Sequence, residues 1–103
     1  MQDTKKTKVI FRYWKDNSCP GNEVIAIFPE LAGNSDPSIC QSYQHIGQHG
    51  ACNPYHIIDN SRLATEAEYT ILKRELECHY GYNLKVVKKH RYSHFVIRKL
   101  QLN

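Results

Sequence analysis

The sequence predicts an α+β fold, a mostly antiparallel sheet of four to five strands in β-β-β-α-β order with one α-helix packed on one face. Three observations support this. Short apolar segments with two-residue alternation open the chain, one capped segment of helical spacing follows, and apolar β-branched segments return after it. A length of 103 residues suits one domain, residues 1–103.

The first strand is Lys8 to Trp14, where Val9, Phe11 and Tyr13 alternate with Lys8, Ile10, Arg12 and Trp14. Turn-forming residues crowd Asp16 to Asn22 and reverse the chain. Glu23 to Phe28 supplies a second strand, ended by Pro29, and the two form an antiparallel hairpin. Ala32 to Pro37 reads as a loop. Ser38 to Ile46 reads as a third strand, with Gly47 and Gly50 marking where regular pairing stops. Residues 51–64 read as irregular, with Asn53-Pro54 and Asp59-Asn60-Ser61 as breakers.

The helix begins at Thr65, where Thr65-Glu66-Ala67-Glu68 fits a capping box. Tyr69, Leu72, Leu76 and Tyr80 (or His79) make its apolar stripe, Ile71 widens it, and Gly81 ends it. Leu84 to Lys89 is a fourth strand. For Tyr92 to Leu102, the partial alternation favours a fifth strand over a short helix.

Topology adds one long-range expectation. If the first three strands form a meander, a right-handed crossover through the helix places the fourth strand beside the first and parallel to it. A single helix leaves the opposite face (Ile10, Arg12, Trp14, Ile25, Ile27) to solvent, the C-terminal segment or another molecule. A homodimer or protein partner is one way to cover it.

Charge makes that topology consequential. Residues 1–15 carry five Lys or Arg against Asp3, residues 16–77 carry three against nine acids, and residues 78–103 carry six with no acid. The ends are thus +4 and +6 around a middle of −6. Strands from the two ends, laid side by side, pool their cations into one basic sheet edge. Arg12, Trp14, Lys85, Lys88, Lys89 and Arg91 are the candidate nucleic-acid contacts, cations for phosphate and an aromatic for stacking. No RNP, KH or comparable signature accompanies them.

The segment Ser42-Tyr43-Gln44-His45-Ile46-Gly47-Gln48-His49-Gly50 concentrates polar function. Four readings stay open. It is a hydrogen-bonded turn; a partner-binding surface of Tyr43, His45, Gln48 and His49; an acid–base pair for RNA cleavage built from His45, His49 and Tyr43; or a metal site of His45, His49, Cys52 and His56. No cofactor is expected. Zinc is the ion these residue types can hold, although the tight C-x-x-C pairs of structural zinc sites are missing. Cys19, Cys40, Cys52 and Cys78 read as free thiols rather than a disulfide framework, two or three of them buried. No apolar run approaches the ~20 residues of a membrane span, and the N-terminal residues lack the apolar core of a secretory signal. The expectation is a cytoplasmic protein with no membrane contact.

Val9-Ile10-Phe11-Arg12, Glu23 to Pro29, Ser42-Tyr43, His45-x-Gly47-Gln48-His49-Gly50, Glu68-Tyr69, Leu72, Glu75-Leu76 and Gly81-Tyr82 together resemble an uncharacterised family. Its members are short hypothetical proteins of bacteria, phages and other mobile elements. The resemblance covers about residues 8–86, excludes the basic tail, and implies origin without activity. The function expected is that of a small binding or accessory protein contacting nucleic acid or a nucleic-acid complex. One alternative is a protein-interaction module or host-protein inhibitor using the 45–60 loop and the open sheet face. A second is the histidine-based RNA-cleaving enzyme.

Overall fold

Strand β1 (Thr7–Trp14) is the spine of the molecule, a computed structural model that describes residues 6–15, 23–44 and 48–102. Its alternating side chains feed two separate apolar clusters, one on each side of the sheet. Val9 and Phe11 join Ala26, Phe28, Tyr43, Leu72, Leu76 and Leu84, while Ile10 joins Ile25, Ile27, Cys40 and Ile57. Full burial of a side chain such as Phe11 or Ile27 contributes about 1.5–3 kcal/mol.

Strands β2 (Val24–Ala32), β3 (Cys40–Gln44) and β4 (Gln48–Cys52) continue the sheet from β1 as antiparallel neighbours. On the other flank of β1 lie β5 (Ser61–Leu63), antiparallel along Arg12–Trp14, and β6 (Leu84–Val86), parallel along Thr7–Val9. The expected juxtaposition of first and last strands is therefore present, with Lys8 opposite Lys85 in register. Most pairings are antiparallel, and helices pack on the sheet, so the α+β class stands.

Several elements differ from the sequence reading. The second strand runs through Pro29 to Ala32, and a register shift between Phe28 and Ala32 accommodates an imide that cannot donate. Gln48–Cys52, read as the end of pairing and the start of irregular chain, is a full strand opposite β3. Pro54–Asp59 forms a short helix, α1, in which the supposed breaker pair acts as a start signal. Asn53 caps the helix through its side chain, which accepts from the Tyr55 amide at 3.0 Å, and Pro54 occupies the first turn.

Helix α2 (Glu66–His79) begins as expected. The Glu68 amide donates to Thr65 Oγ1 at 3.3 Å, and the Thr65 amide donates to Glu68 Oε1 at 2.8 Å. Arg62 grips the same carboxylate with two bonds of 2.8 and 2.6 Å, and these hold Glu68 down at about 2. Leu72 and Leu76 are buried and Tyr69 stacks on Phe11 at 4.5 Å, but Ile71 points outward and is 72% exposed, so it does not widen the stripe. Gly81 leaves the helix at φ 70°, a conformation costly for other residues.

The largest departure is Tyr92–Gln101, which forms helix α3 instead of a fifth strand. His94 and Arg98, four residues apart, are the buried residues of that helix, so its inward stripe is polar and escapes an apolar-periodicity test. Helices α1 and α3 share the face opposite α2. Tyr55 of α1 meets the His90 ring edge-on at 5.0 Å, and His90 touches Arg98 of α3. Ile10, Ile25 and Ile27 beneath them are at most 4% exposed. Among the described residues, Ile10, Ile25 and Ile27 of the face expected to be open are therefore covered, with Arg12 and Trp14 half-buried, which removes much of the ground on which a homodimer was expected. Among the described residues no helix is long and apolar enough to cross a membrane.

Candidate functional site

Parallel pairing of β1 with β6 draws Lys8 and Lys85 together, and the chain then runs through Lys88 and Lys89 to Arg91 at the start of α3. These residues, with Val87, Ser93 and His94, line an open cleft of about 380 Å³. Lys8 pairs with Glu30 at 3.1 Å. Among the described residues, Lys85, Lys88, Lys89 and Arg91 have no acidic partner, and they lie at the protein surface. His94 accepts the Arg91 amide through Nδ1 at 2.9 Å, which fixes the cleft wall where the helix begins. Burial holds its imidazole below the usual range, so near neutrality it serves as a neutral acceptor. Clustered, unneutralised cations raise the local potential and attract a polyanion.

A second cavity of about 430 Å³ adjoins the first and shares Val87 and Lys88 with it. It lies where β1 passes between the ends of β5 and β6. The Phe11 carbonyl accepts from Ala64, and the Val9 carbonyl accepts from Val87. Phe11, Tyr69, Val86, Leu63 and Ala64 make the walls apolar, and Thr65 and Glu66 add polar atoms at the rim. Tyr92, 73% exposed, stands beside Arg91 at the start of α3.

Two expected nucleic-acid contacts do not belong to this region. Arg12 spends its guanidinium on the chain beside it, donating to Ser61 Oγ at 2.9 Å, Ser61 O at 2.6 Å and Ile58 O at 3.1 Å. It ties β1 to the α1–β5 connection. Trp14 is half-buried against the Ile10 cluster. Both sit toward the opposite end of β1 from Lys8, up to roughly 20 Å away at strand rise. Lys85, Lys88, Lys89 and Arg91 do converge, and the structure adds Lys8, Ser93 and His94 to them. Lys8 is legible in the sequence as a strand cation. The start of α3 is hidden by the partial alternation that suggests a strand there.

The histidine segment resolves only in part, because His45 lies outside the described residues. His49 faces Tyr43 across β3–β4, their rings edge-on at 4.7 Å, and Tyr80 closes an aromatic triad at 4.9 Å from His49. Tyr43 is buried, and its hydroxyl donates to the Glu75 carboxylate, so it is not available as a surface contact. Gln48 pairs with Gln44 in register. His49 and Cys52 are three residues apart on one strand and therefore project to opposite faces, while His56 lies exposed on α1. The expected metal ligands among the described residues thus do not meet, and no group of three or more His, Cys, Asp or Glu there can hold an ion. The 45–60 interaction loop is, from Gln48 on, a strand followed by a capped helix.

What brings chemistry together instead is Cys40 with Cys52. They are cross-strand neighbours in register, with sulfurs 3.8 Å apart. Cys40 is buried, Cys52 half-buried and Cys78 exposed, and Cys19, the fourth cysteine of that expectation, lies outside the described residues. The thiol–thiol hydrogen bond pushes Cys40 up, with burial adding to it. Cys52 moves down because it receives that bond, aided by Ser42 and the charge of Arg98 against an opposing burial effect.

Arg98 is fully buried with no carboxylate bonded to it among the described residues. It donates to Pro37 O at 2.8 Å and Pro29 O at 2.5 Å, and Nη1 lies 3.0 Å from His90 Nε2. Arginine has only donors, so His90 must accept through Nε2 and stay neutral. Burial, then the Arg98 charge, lowers its pKa to about 4. Arg98 Nη2 and His90 Nδ1 are buried and have no partner among the described residues.

Comparisons with family models, with curated proteins and with solved structures find no match to this chain. Function is accordingly read from the geometry above.

Proposed function

We propose that this protein binds single-stranded nucleic acid, with phosphates along the basic cleft and a base in the adjoining apolar notch. The observation that carries the reading is the convergence of Lys8, Lys85, Lys88, Lys89 and Arg91, from segments far apart in sequence, on one cleft, with a separate apolar cavity across Val87 and Lys88. A duplex presents phosphates but no free base faces, whereas a single strand presents both. Tyr92, exposed beside Arg91 at the start of α3, offers a further stacking surface. This reading keeps the expected ligand and replaces the expected residues Arg12 and Trp14 with Lys8 and the start of α3. The alternative of a histidine-based RNA-cleaving enzyme has lost Tyr43 as a free participant, because its hydroxyl is bonded to Glu75.

Fluorescence anisotropy with labelled single-stranded and duplex oligonucleotides across a salt series tests the reading. Four unpaired cations on phosphates predict a log–log salt slope of about −3 for a single strand, at about −0.7 per contact. Replacing Lys88 and Lys89 by Gln halves that slope to about −1.4 and weakens binding at low salt roughly tenfold or more. Duplex binding as tight as single-strand binding contradicts the notch, and an unchanged slope in the double variant contradicts the cleft.

A further inference from the structure

Four features of the Cys40–Cys52 pair point away from a merely structural role. Directly opposed residues of an antiparallel pair have Cα atoms about 4.5–5.5 Å apart, inside the span a disulfide bridges without backbone movement. The sulfurs are already within contact at 3.8 Å. One thiol is buried and the other partly open, an asymmetry that lets a reagent reach one sulfur only. Finally, Arg98 is a fully buried cation whose Nη2 has no partner among the described residues, and its charge reaches both sulfurs.

We propose that Cys40 and Cys52 are a redox-active dithiol that undergoes thiol–disulfide exchange with a small-molecule disulfide, Cys52 attacking and Cys40 resolving. The inference is independent of nucleic-acid binding. Cys52 thiolate attacks one sulfur of the disulfide RSSR, forming a Cys52–SR bond and releasing RS⁻. Cys40 sulfur then attacks Cys52 Sγ, forming the Cys40–Cys52 bond and expelling the second RS⁻, which takes the Cys40 proton. The protein loses two electrons, and RSSR gains them as two thiol equivalents. Arg98 is a positioning residue in this scheme, since it favours the Cys52 thiolate without touching the reagent.

The favoured thiolate supports the assignment of roles. Either sulfur of the thiol–thiol contact can be the donor; with the more open Cys52 as acceptor, Ser42 adding a second bond and the Arg98 charge favouring thiolate, Cys52 lies below the ordinary thiol range and Cys40 above it. In most small domains two adjacent thiols are only packing groups. Here a buried cation also acts on both sulfurs, in addition to its structural bonds to Pro29 O and Pro37 O.

The full-length reduced protein, incubated with oxidised glutathione near neutral pH, quenched by alkylation and cut after Tyr43 with chymotrypsin, decides the matter by mass spectrometry. The expected product is a linkage joining the Cys40 and Cys52 peptides. Cys40→Ser stops at a glutathione adduct on Cys52, and Cys52→Ser gives neither product while Cys40 stays unmodified. Alkylation of Cys52 in the wild type titrates at lower pH than that of free N-acetylcysteine, and Arg98→Lys retains most of that difference. Glutathione carried on Cys78 with Cys40 and Cys52 both still alkylatable overturns the proposal, as does a Cys52 titration that coincides with that of free N-acetylcysteine.

Discussion

Replacing Arg98 by Leu removes a side chain that holds three segments together. Its guanidinium bonds the Pro29 carbonyl of β2 and the Pro37 carbonyl of the loop before β3, and it touches the imidazole of His90. Hydrogen bonds from a charged donor contribute about 1.5–3 kcal/mol each, so losing the two carbonyl bonds costs about 3–6 kcal/mol. Against this, leucine relieves the burial of an uncompensated charge and of the unpartnered Nη2, worth about 1–3 kcal/mol. Taking low against low and high against high, the balance is a destabilisation of about 2–3 kcal/mol, a large share of the roughly 5–15 kcal/mol typical of a domain. For a chain of this length that lowers Tm by roughly 10–25 °C. Urea unfolding followed by circular dichroism measures it directly. A variant within about 0.5 kcal/mol of wild type, or more stable, refutes the assignment of Arg98 as the tie between α3 and the sheet.

Acid sensitivity follows from His90. Its folded-state pKa, about 4, lies below the ordinary 6.5, so between those values the unfolded chain takes up a proton that the folded one refuses. The stabilisation is complete above about pH 6.5 and is lost as pH falls toward 4; discounted for partial exposure, it amounts to about 1–2 kcal/mol. Urea midpoints fall over this range in the wild type and flatten in His90→Gln; an equal acid dependence in both places the effect elsewhere. Gly33→Ala brings a Cβ to 2.7 Å from the Cys40 carbonyl oxygen and 2.8 Å from Ala51 Cβ, and neither neighbour is a flexible side-chain end. Overpacking of this kind costs about 1–3 kcal/mol in the same unfolding assay, and a neutral result means that the 33–39 loop shifts freely.

Legibility tracks the range of the interaction. The capping box at Thr65 and Glu68 and the left-handed exit at Gly81 are set by neighbours in the chain, and both are readable. Parallel placement of β6 beside β1 is long-range, yet the handedness of crossovers limits the choices enough to anticipate it. Helix α3 escapes because the residues it buries are histidine and arginine, and the carbonyls that Arg98 bonds lie about sixty to seventy positions away. Strand β4 escapes because Gly50 suggests a stop, although it sits opposite Ser42 within the ladder. Once that hairpin is seen, Cys40 and Cys52 fall symmetrically about its centre, so the thiol pair is recoverable from register alone. The basic cleft is half legible. Its charges can be counted in the sequence, but Arg12, adjacent in pattern to Lys8, is drawn off by Ser61 and Ile58 in a way no charge count reveals.

Amide chemical shifts recorded while a short single-stranded oligonucleotide is titrated into isotope-labelled protein test the binding cleft most directly. Saturable shifts confined to Lys8, Lys85 to His94 and the notch residues around Ala64 and Tyr69 are the expected result. Shifts centred on His49 and Tyr80, or none that saturate at low salt, contradict it.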